Sequence, residues 1–188
     1  MTARTTKPKC VLLDANVVIE AHRVAVWRNL LDQCQIMVPS TVVRDEALFY
    51  SCETDGIHED IYLPKLVHDG RIIQLTATAE DLVNLYGTFD RVFVEGIDPG
   101  EAEALALLKS GKAPEAYFCT GDAPAIRALA MLGMSERGIS MEMLLRKLGL
   151  QRRLQHFGFT EEFFQENLKR GSINRVTGEG LAGGGLIS

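Results

Sequence analysis

The chain has 188 residues, 46% of them hydrophobic and 24% charged, with a formal net charge of −5. This length suits one domain with a substantial core, and the composition excludes an intrinsically disordered chain. The negative charge argues against a broad basic face that binds nucleic acid, although it does not exclude nucleic acid. No apolar run is long enough for a membrane-spanning helix, and the polar N-terminus MTARTTKPK lacks the apolar core of a signal peptide. We therefore expect no membrane partner and a cytoplasmic location.

Short apolar runs alternate with helical periodicity in the first part of the chain. The patterns predict a strand, a helix, a strand and a helix over residues 10–13, 17–31, 36–38 and 40–50, in that order. Residues 51–70 contain Gly56, Pro64 and several acids, and we interpret them as an insertion of helix and loop.

The alternation continues in the second part. It predicts strands over residues 71–76 and 116–119 and helices over residues 79–93, 101–108, 124–132, 139–150 and 160–170. Gly133 is expected to end the helix that begins at Pro124. Strands that alternate with helices indicate an α/β fold, a three-layer α/β/α sandwich with a central parallel sheet.

Acidic residues occupy matching places in this predicted fold. Asp14 and Asp122 each follow a strand, Glu46 lies in the helix after a strand, and Glu101 and Glu103 open a helix. Because sites collect at the carboxyl ends of parallel strands, we expect these carboxylates to converge. Carboxylates held close together raise one another's pKa unless a cation compensates them, and oxygen-rich sites suit Mg²⁺. The pattern therefore predicts a Mg²⁺ or Mn²⁺ site acting on a phosphate ester.

Each acid also has an ordinary structural interpretation. An aspartate between a strand and a helix is often a helix N-cap, and this applies to Asp14 and Asp122. Glu101 and Glu103 would favour the dipole of their helix, and Glu46 would lie on a solvated helix face. The metal-site hypothesis depends on their joint occurrence at equivalent positions.

Four segments in chain order resemble the motifs of PIN domains. They are CVLLDANVVIE, PSTVVRDEALF, PGEAEALALL and YFCTGDAPAIRALAMLG, which together span residues 10–133. The segments MEMLLRKLGL and HFGF are similar to the C-terminal helices of one bacterial and archaeal branch of that family. On this interpretation residues 1–9 are an N-terminal extension, 10–150 a PIN-like nuclease domain, 151–171 a C-terminal helical extension, and 172–188 a flexible glycine-rich tail.

The resemblance implies a metal-dependent endoribonuclease that uses a metal-activated water. Asp14, Glu46 and Asp122 match the family's metal-binding acids, and Glu101 or Glu103, or both, match the third acid. Asn16 and Thr120 match the polar residues that orient them. The implied partners are RNA, a second copy in a homodimer and a small antitoxin, as in VapBC toxin–antitoxin pairs; without an antitoxin, a stand-alone RNA-processing enzyme is favoured.

Two other classes remain open. One is a non-catalytic interaction module that keeps the PIN fold. The other is a phosphatase with Asp14 as nucleophile, although the D-x-D pattern of such enzymes is replaced here by D-x-N at Asn16.

Basic and aromatic residues offer weaker signals. Arg44 and Arg127 are candidates for contacts with RNA phosphates. Arg152 and Arg153 with Phe157 and Phe159 form either a patch that stacks on single-stranded RNA or a set of core or dimer contacts.

Overall fold

A computed structural model describes residues 10–47, 49–51 and 58–183 of the chain. The predicted extension over residues 1–9 and the last residues of the predicted tail, 184–188, lie outside the described residues. No helix in the described ranges is long and apolar enough to cross a membrane.

A five-stranded, entirely parallel sheet forms the centre of the fold. Its strand order is β5-β2-β1-β6-β7, and a separate antiparallel pair joins β3 and β4. The strands are β1 (Cys10–Leu13), β2 (Gln35–Pro39), β3 (Phe49–Ser51), β4 (His58–Asp60), β5 (Ile72–Leu75), β6 (Tyr117–Cys119) and β7 (Gly138–Ile139).

Helices cover both faces of the sheet. They are α1 (Ala15–Arg23), α2 (Trp27–Gln33), α3 (Leu63–His68), α4 (Ala79–Tyr86), α5 (Arg91–Val94), α6 (Pro99–Lys109), α7 (Ala123–Met131), α8 (Met141–Lys147) and α9 (Glu161–Thr177). On β1, Val11 and Leu13 face one core with α1, α2, α3 and α8, whereas Leu12 faces a second core with α4, α6 and α7. This alternation places β1 between two apolar layers. The predicted three-layer α/β/α sandwich is confirmed.

Several predicted helices are shorter or broken in the structure. The helix over 17–31 is divided into α1 and α2 at Ala25, whose φ is 55°. The helix predicted through Tyr50 is a π-helical turn, Val42–Glu46, followed by strand β3. The helix over 79–93 is divided into α4 and α5. Within the predicted insertion, the described residues form strand β4 and helix α3.

The C-terminal boundary also differs from the prediction. Helix α9 continues to Thr177, past Arg170, and ends where Gly178 adopts a φ of 81°. Residues 172–177 therefore belong to the helix rather than to the tail. Gly171 lies against α7, where an added Cβ would come 2.8 Å from Arg127 Cα. The close approach of the two helices explains a glycine inside a helix.

Candidate metal centre

The candidate centre lies where the chain changes direction across the sheet. From β1 the chain builds β2 and β5 on one side, and it later adds β6 and β7 on the other side. Leu13 pairs with Cys119 in the parallel ladder, so Asp14 and Thr120 leave adjacent strands at the same edge. Such a switch point opens a crevice at the carboxyl ends of the strands.

Asp14 is buried at this edge, with 2% of its surface exposed. One carboxylate oxygen accepts a hydrogen bond from Val17 N at 2.8 Å and caps α1, and the other accepts from Thr120 Oγ1. Burial, with a smaller effect from the nearby charges of Asp122 and Glu46, raises the pKa of Asp14 to about 6, against the effect of these hydrogen bonds. Asp14 is therefore the N-cap of α1, as its ordinary structural interpretation predicts. The cap does not offset the electrostatic cost of burying the ionised Asp14 carboxylate, because its pKa is still raised.

Glu101 is the most perturbed acid of the group. It is 3% exposed, and its pKa is raised to about 9 by burial and by the charges of Asp122 and Asp14. Its Oε2 accepts from Asp98 N at 3.3 Å, whereas its buried Oε1 has no hydrogen-bond donor. A buried carboxylate oxygen without a donor is costly, so a proton or a cation is needed there.

Asp122 is half-buried beside Glu101. It caps α7 by accepting from Ala125 N at 3.0 Å, and its own N–H donates to Thr120 Oγ1 at 3.1 Å. Burial raises the pKa of Asp122, while the hydrogen bond from Ala125 N opposes that rise. The charge of Asp122 in turn raises the pKa of Glu101, so the two neighbouring groups together carry less than their full charge at neutral pH.

Glu46 and Asp98 complete the walls of a cavity of about 310 Å³, lined by Asp14, Ala15, Asn16, Ile19, Glu46, Asp98, Pro99 and Glu101. Glu46 Oε1 accepts from Gly100 N at 2.9 Å. Burial raises the pKa of Glu46, and the charge of Asp98 adds to this. Asp98 is not among the predicted site residues, because the segment Asp98-Pro99-Gly100 is typical of the start of a helix.

Glu103 serves a different purpose. Its carboxylate accepts hydrogen bonds from Ser40 Oγ at 2.7 Å, Thr41 N at 2.8 Å and Ala77 N at 3.0 Å. Burial would raise the pKa of Glu103, but these hydrogen bonds lower it below its ordinary value. Glu103 thus joins α6 to the ends of β2 and β5, and the structure brings Glu101, not Glu103, to Asp14 and Asp122.

The predicted orienting and RNA-binding residues lie around this group. Thr120 contacts Asp14 directly, whereas Asn16 is exposed, lines the cavity and makes no side-chain hydrogen bond within the described ranges. Arg44 is exposed and donates to Ser40 Oγ at 2.9 Å. Arg127 donates to Ala123 O at 3.2 Å, and its charge lowers the pKa of Asp122. The two arginines therefore lie on the elements that carry Glu46 and Asp122.

The donor set is suited to a hard divalent cation. Within residues 10–47, 49–51 and 58–183, no group of three or more His, Cys, Asp or Glu side chains is already arranged as a metal-binding set. The oxygen-only chemistry of Asp14, Glu101 and Asp122, and the unpartnered Oε1 of Glu101, nevertheless fit Mg²⁺ or Mn²⁺. The chain matches no protein-family model, and no curated protein matches its sequence.

Stability without metal should fall as the pH rises. The folded chain retains a proton on Glu101 that the unfolded chain releases near pH 4.5, so unfolding becomes easier with increasing pH up to about 9. His22, whose pKa is lowered mainly by burial, acts in the opposite sense only below about pH 7. We expect the free energy of unfolding to decrease between about pH 7 and pH 8.5 by up to about 1.4 kcal/mol per pH unit.

Urea denaturation in buffers with EDTA measures this slope. Glu101→Gln should flatten it, because the glutamine does not titrate. A stability that rises with pH over this range in the wild-type protein would show that Glu101 is ionised in the fold.

Gly100 keeps Glu46 in place. A Cβ at this position would overlap Glu46 Oε2 and come within 2.8 Å of Val42 Cγ2. We expect Gly100→Ala to displace the Glu46 carboxylate and to destabilise the protein by about 1–3 kcal/mol in denaturant unfolding. Gly96→Ala is the matched control, since its nearest atom would be 3.5 Å away. Equal stabilities for the two variants would contradict this packing.

Proposed function

We propose that the chain is a Mg²⁺- or Mn²⁺-dependent endoribonuclease of the PIN type. The observation that carries the proposal is the buried Oε1 of Glu101, which lacks a donor beside the carboxyl groups of Asp14 and Asp122. A fold that keeps such an arrangement without a cation loses stability, and a divalent cation would reverse that loss. The position at the switch point of a parallel sheet supports a ligand site.

Asp14, Glu101 and Asp122 would hold the metal, and Glu46 and Asp98 line the same cavity as Asp14 and Glu101. A bound Mg²⁺ or Mn²⁺ would supply an activated water and would neutralise charge on the phosphate. Thr120 fixes the orientation of the Asp14 carboxylate through its hydroxyl donor. Gly100 N–H fixes Glu46, and the N-caps of α1 and α7 fix Asp14 and Asp122. These contacts prepare the carboxylates before substrate binds.

The other two classes receive less support. In a phosphatase Asp14 would be the nucleophile, but the D-x-D pattern of such enzymes is replaced here by D-x-N at Asn16. A non-catalytic module does not require neighbouring acids with raised pKa values, whereas such groups are typical of catalytic and ligand-binding sites. A homodimer and inhibition by a small antitoxin stay predictions that follow from the resemblance alone.

Cleavage of a mixed RNA pool tests the proposal. The full chain is incubated with the RNA in Mg²⁺, in Mn²⁺ or in EDTA, and a DNA pool of the same length serves as the comparison. We expect RNA fragments in either metal and none in EDTA. Absence of metal-dependent cleavage, or equal cleavage in EDTA, would overturn the assignment.

A further inference from the structure

A basic stretch without acids lies near the end of the chain. Residues 143–160 contain Arg146, Lys147, Arg152 and Arg153 but neither Asp nor Glu. These four cations belong to a chain whose total charge is −5, so the remaining residues carry −9. Arg152 and Arg153 are exposed and line a cavity of about 440 Å³ together with Arg146 and one acid, Glu142. The stretch is thus a local positive surface on an acidic protein, which favours an anionic partner.

The end of this stretch packs on the loop that carries Thr120 and Asp122. A Cβ added to Gly121 would lie 2.6 Å from Phe159 Cε1, and a Cβ added to Gly158 would lie 2.8 Å from Gly121 O. Two glycines therefore allow the backbones to touch. This contact places Gly158 and Phe159 against the backbone between Thr120 and Asp122.

Helix α1 holds the same segment from the other side. Glu20, fully buried, accepts a hydrogen bond from Gln155 N at 2.9 Å, and Arg23 Nη1 lies 3.4 Å from His156 Nε2. Ile19, which lines the metal-site cavity, and Arg23 are four residues apart on α1 and share one face. Helix α1 therefore lines the cavity with Ile19 and contacts the Gln155–His156 segment through Glu20 and Arg23.

The two phenylalanines of this segment have separate environments. Phe159 is 6% exposed and belongs to the core, whereas Phe157 is 56% exposed. The Phe157 ring meets Phe163 at 76°, with 5.6 Å between the ring centroids. Phe157 is thus an aromatic side chain that is supported by a neighbour and open to solvent, one residue before the Gly158–Gly121 contact.

We propose that Phe157 stacks on a base of single-stranded RNA while Arg23 and the basic stretch contact its phosphates. The inference rests on the proposed function in taking RNA as the ligand. Base–aromatic stacking requires an unpaired base, and flanking cations retain the backbone. Duplex RNA does not offer its base faces to a side chain, so the site selects single strands.

Fluorescence anisotropy of the full chain with a labelled RNA of about 12 nucleotides tests the inference, since this length spans the site size of ordinary single-strand binding folds. The assay uses EDTA and low salt, and the same RNA annealed to its complement is the comparison. We expect Phe157→Ala to weaken single-strand binding about fivefold or more, and Phe157→Trp to preserve it. Tyr86→Ala is the matched control, because Tyr86 is an exposed aromatic residue at the C-terminal end of α4, outside the basic stretch.

Equal affinities of the wild type and Phe157→Ala would overturn the inference, as would tighter binding of the duplex or no binding of either RNA. The result is independent of cleavage. Phe157-dependent binding without hydrolysis in Mn²⁺ would remove the proposed nuclease activity and leave this surface standing. If Phe157→Ala changes neither hydrolysis nor binding, the proposed nuclease activity stands and the proposed role of Phe157 is removed.

Discussion

Asp14→Asn should lower metal-dependent RNA cleavage by at least about a thousandfold, since charge stabilisation by a bound metal is worth several kcal/mol and each 1.36 kcal/mol is tenfold in rate. Asparagine can still accept from Val17 N and cap α1, and Thr120 can turn its hydroxyl to accept from the new amide. The fold should therefore survive. Initial rates of cleavage in Mn²⁺, compared at equal concentrations of folded protein, measure the effect.

Asp90→Asn is the matched control for this substitution. Asp90 is also an N-cap aspartate, accepting from Phe93 N at 2.8 Å, but it caps α5 and is exposed. Its replacement makes the same chemical change outside the carboxylate group, and we expect full activity. A variant Asp14→Asn that cleaves as fast as Asp90→Asn would mean that Asp14 is only a helix cap.

Two glutamates of one helix should respond oppositely to the same substitution. Without metal at pH 7, Glu101→Gln should stabilise the protein by about 2 kcal/mol, because Glu101, whose pKa is raised to about 9, must take up a proton when the chain folds, whereas glutamine is neutral in both states. Glu103→Gln should destabilise it by about 3 kcal/mol, because an amide N–H₂ group then replaces one of the two carboxylate oxygens that accept from Ser40, Thr41 and Ala77, and opposes at least one of these donors.

Each variant is the control for the other, since both lie in α6 and make the same change of side chain. Urea unfolding in EDTA gives both values. Destabilisation by both substitutions, to a similar extent, would show that Glu101 is an ordinary structural acid and would remove the reason for placing a cation there.

The sequence predicts the strand ends more successfully than the choice between the two glutamates. Asp14 and Asp122 follow apolar runs that become the adjacent strands β1 and β6, so their convergence follows from the order of elements. Glu101 and Glu103 are two residues apart, which is about 200° around a helix, so they must face different ways. Which of the two faces the site depends on how α6 packs against the sheet, and the local sequence pattern does not predict that packing.

Other differences have tertiary causes. The sequence places the end of the last helix at Arg170, just before Gly171, because an interior glycine disfavours helix. The structure shows that Gly171 permits contact with α7 within a continuous helix. Strand β7 comprises only Gly138 and Ile139, too short for a periodic pattern, and Ala25 breaks α1 from α2 at a positive φ that alanine seldom adopts. These features depend on neighbours that are distant in sequence.

The most direct test of the carboxylate centre is the binding of Mn²⁺ to the metal-free protein, followed through its melting temperature and by calorimetric titration. We expect millimolar Mn²⁺ to raise the melting temperature of the wild type. Glu101→Gln should weaken the affinity for Mn²⁺ by about tenfold or more, because a charged ligand is lost, and should reduce the rise in melting temperature accordingly. Glu103→Gln should retain the shift. A wild-type protein whose melting temperature does not change and that takes up no Mn²⁺ would contradict the metal centre.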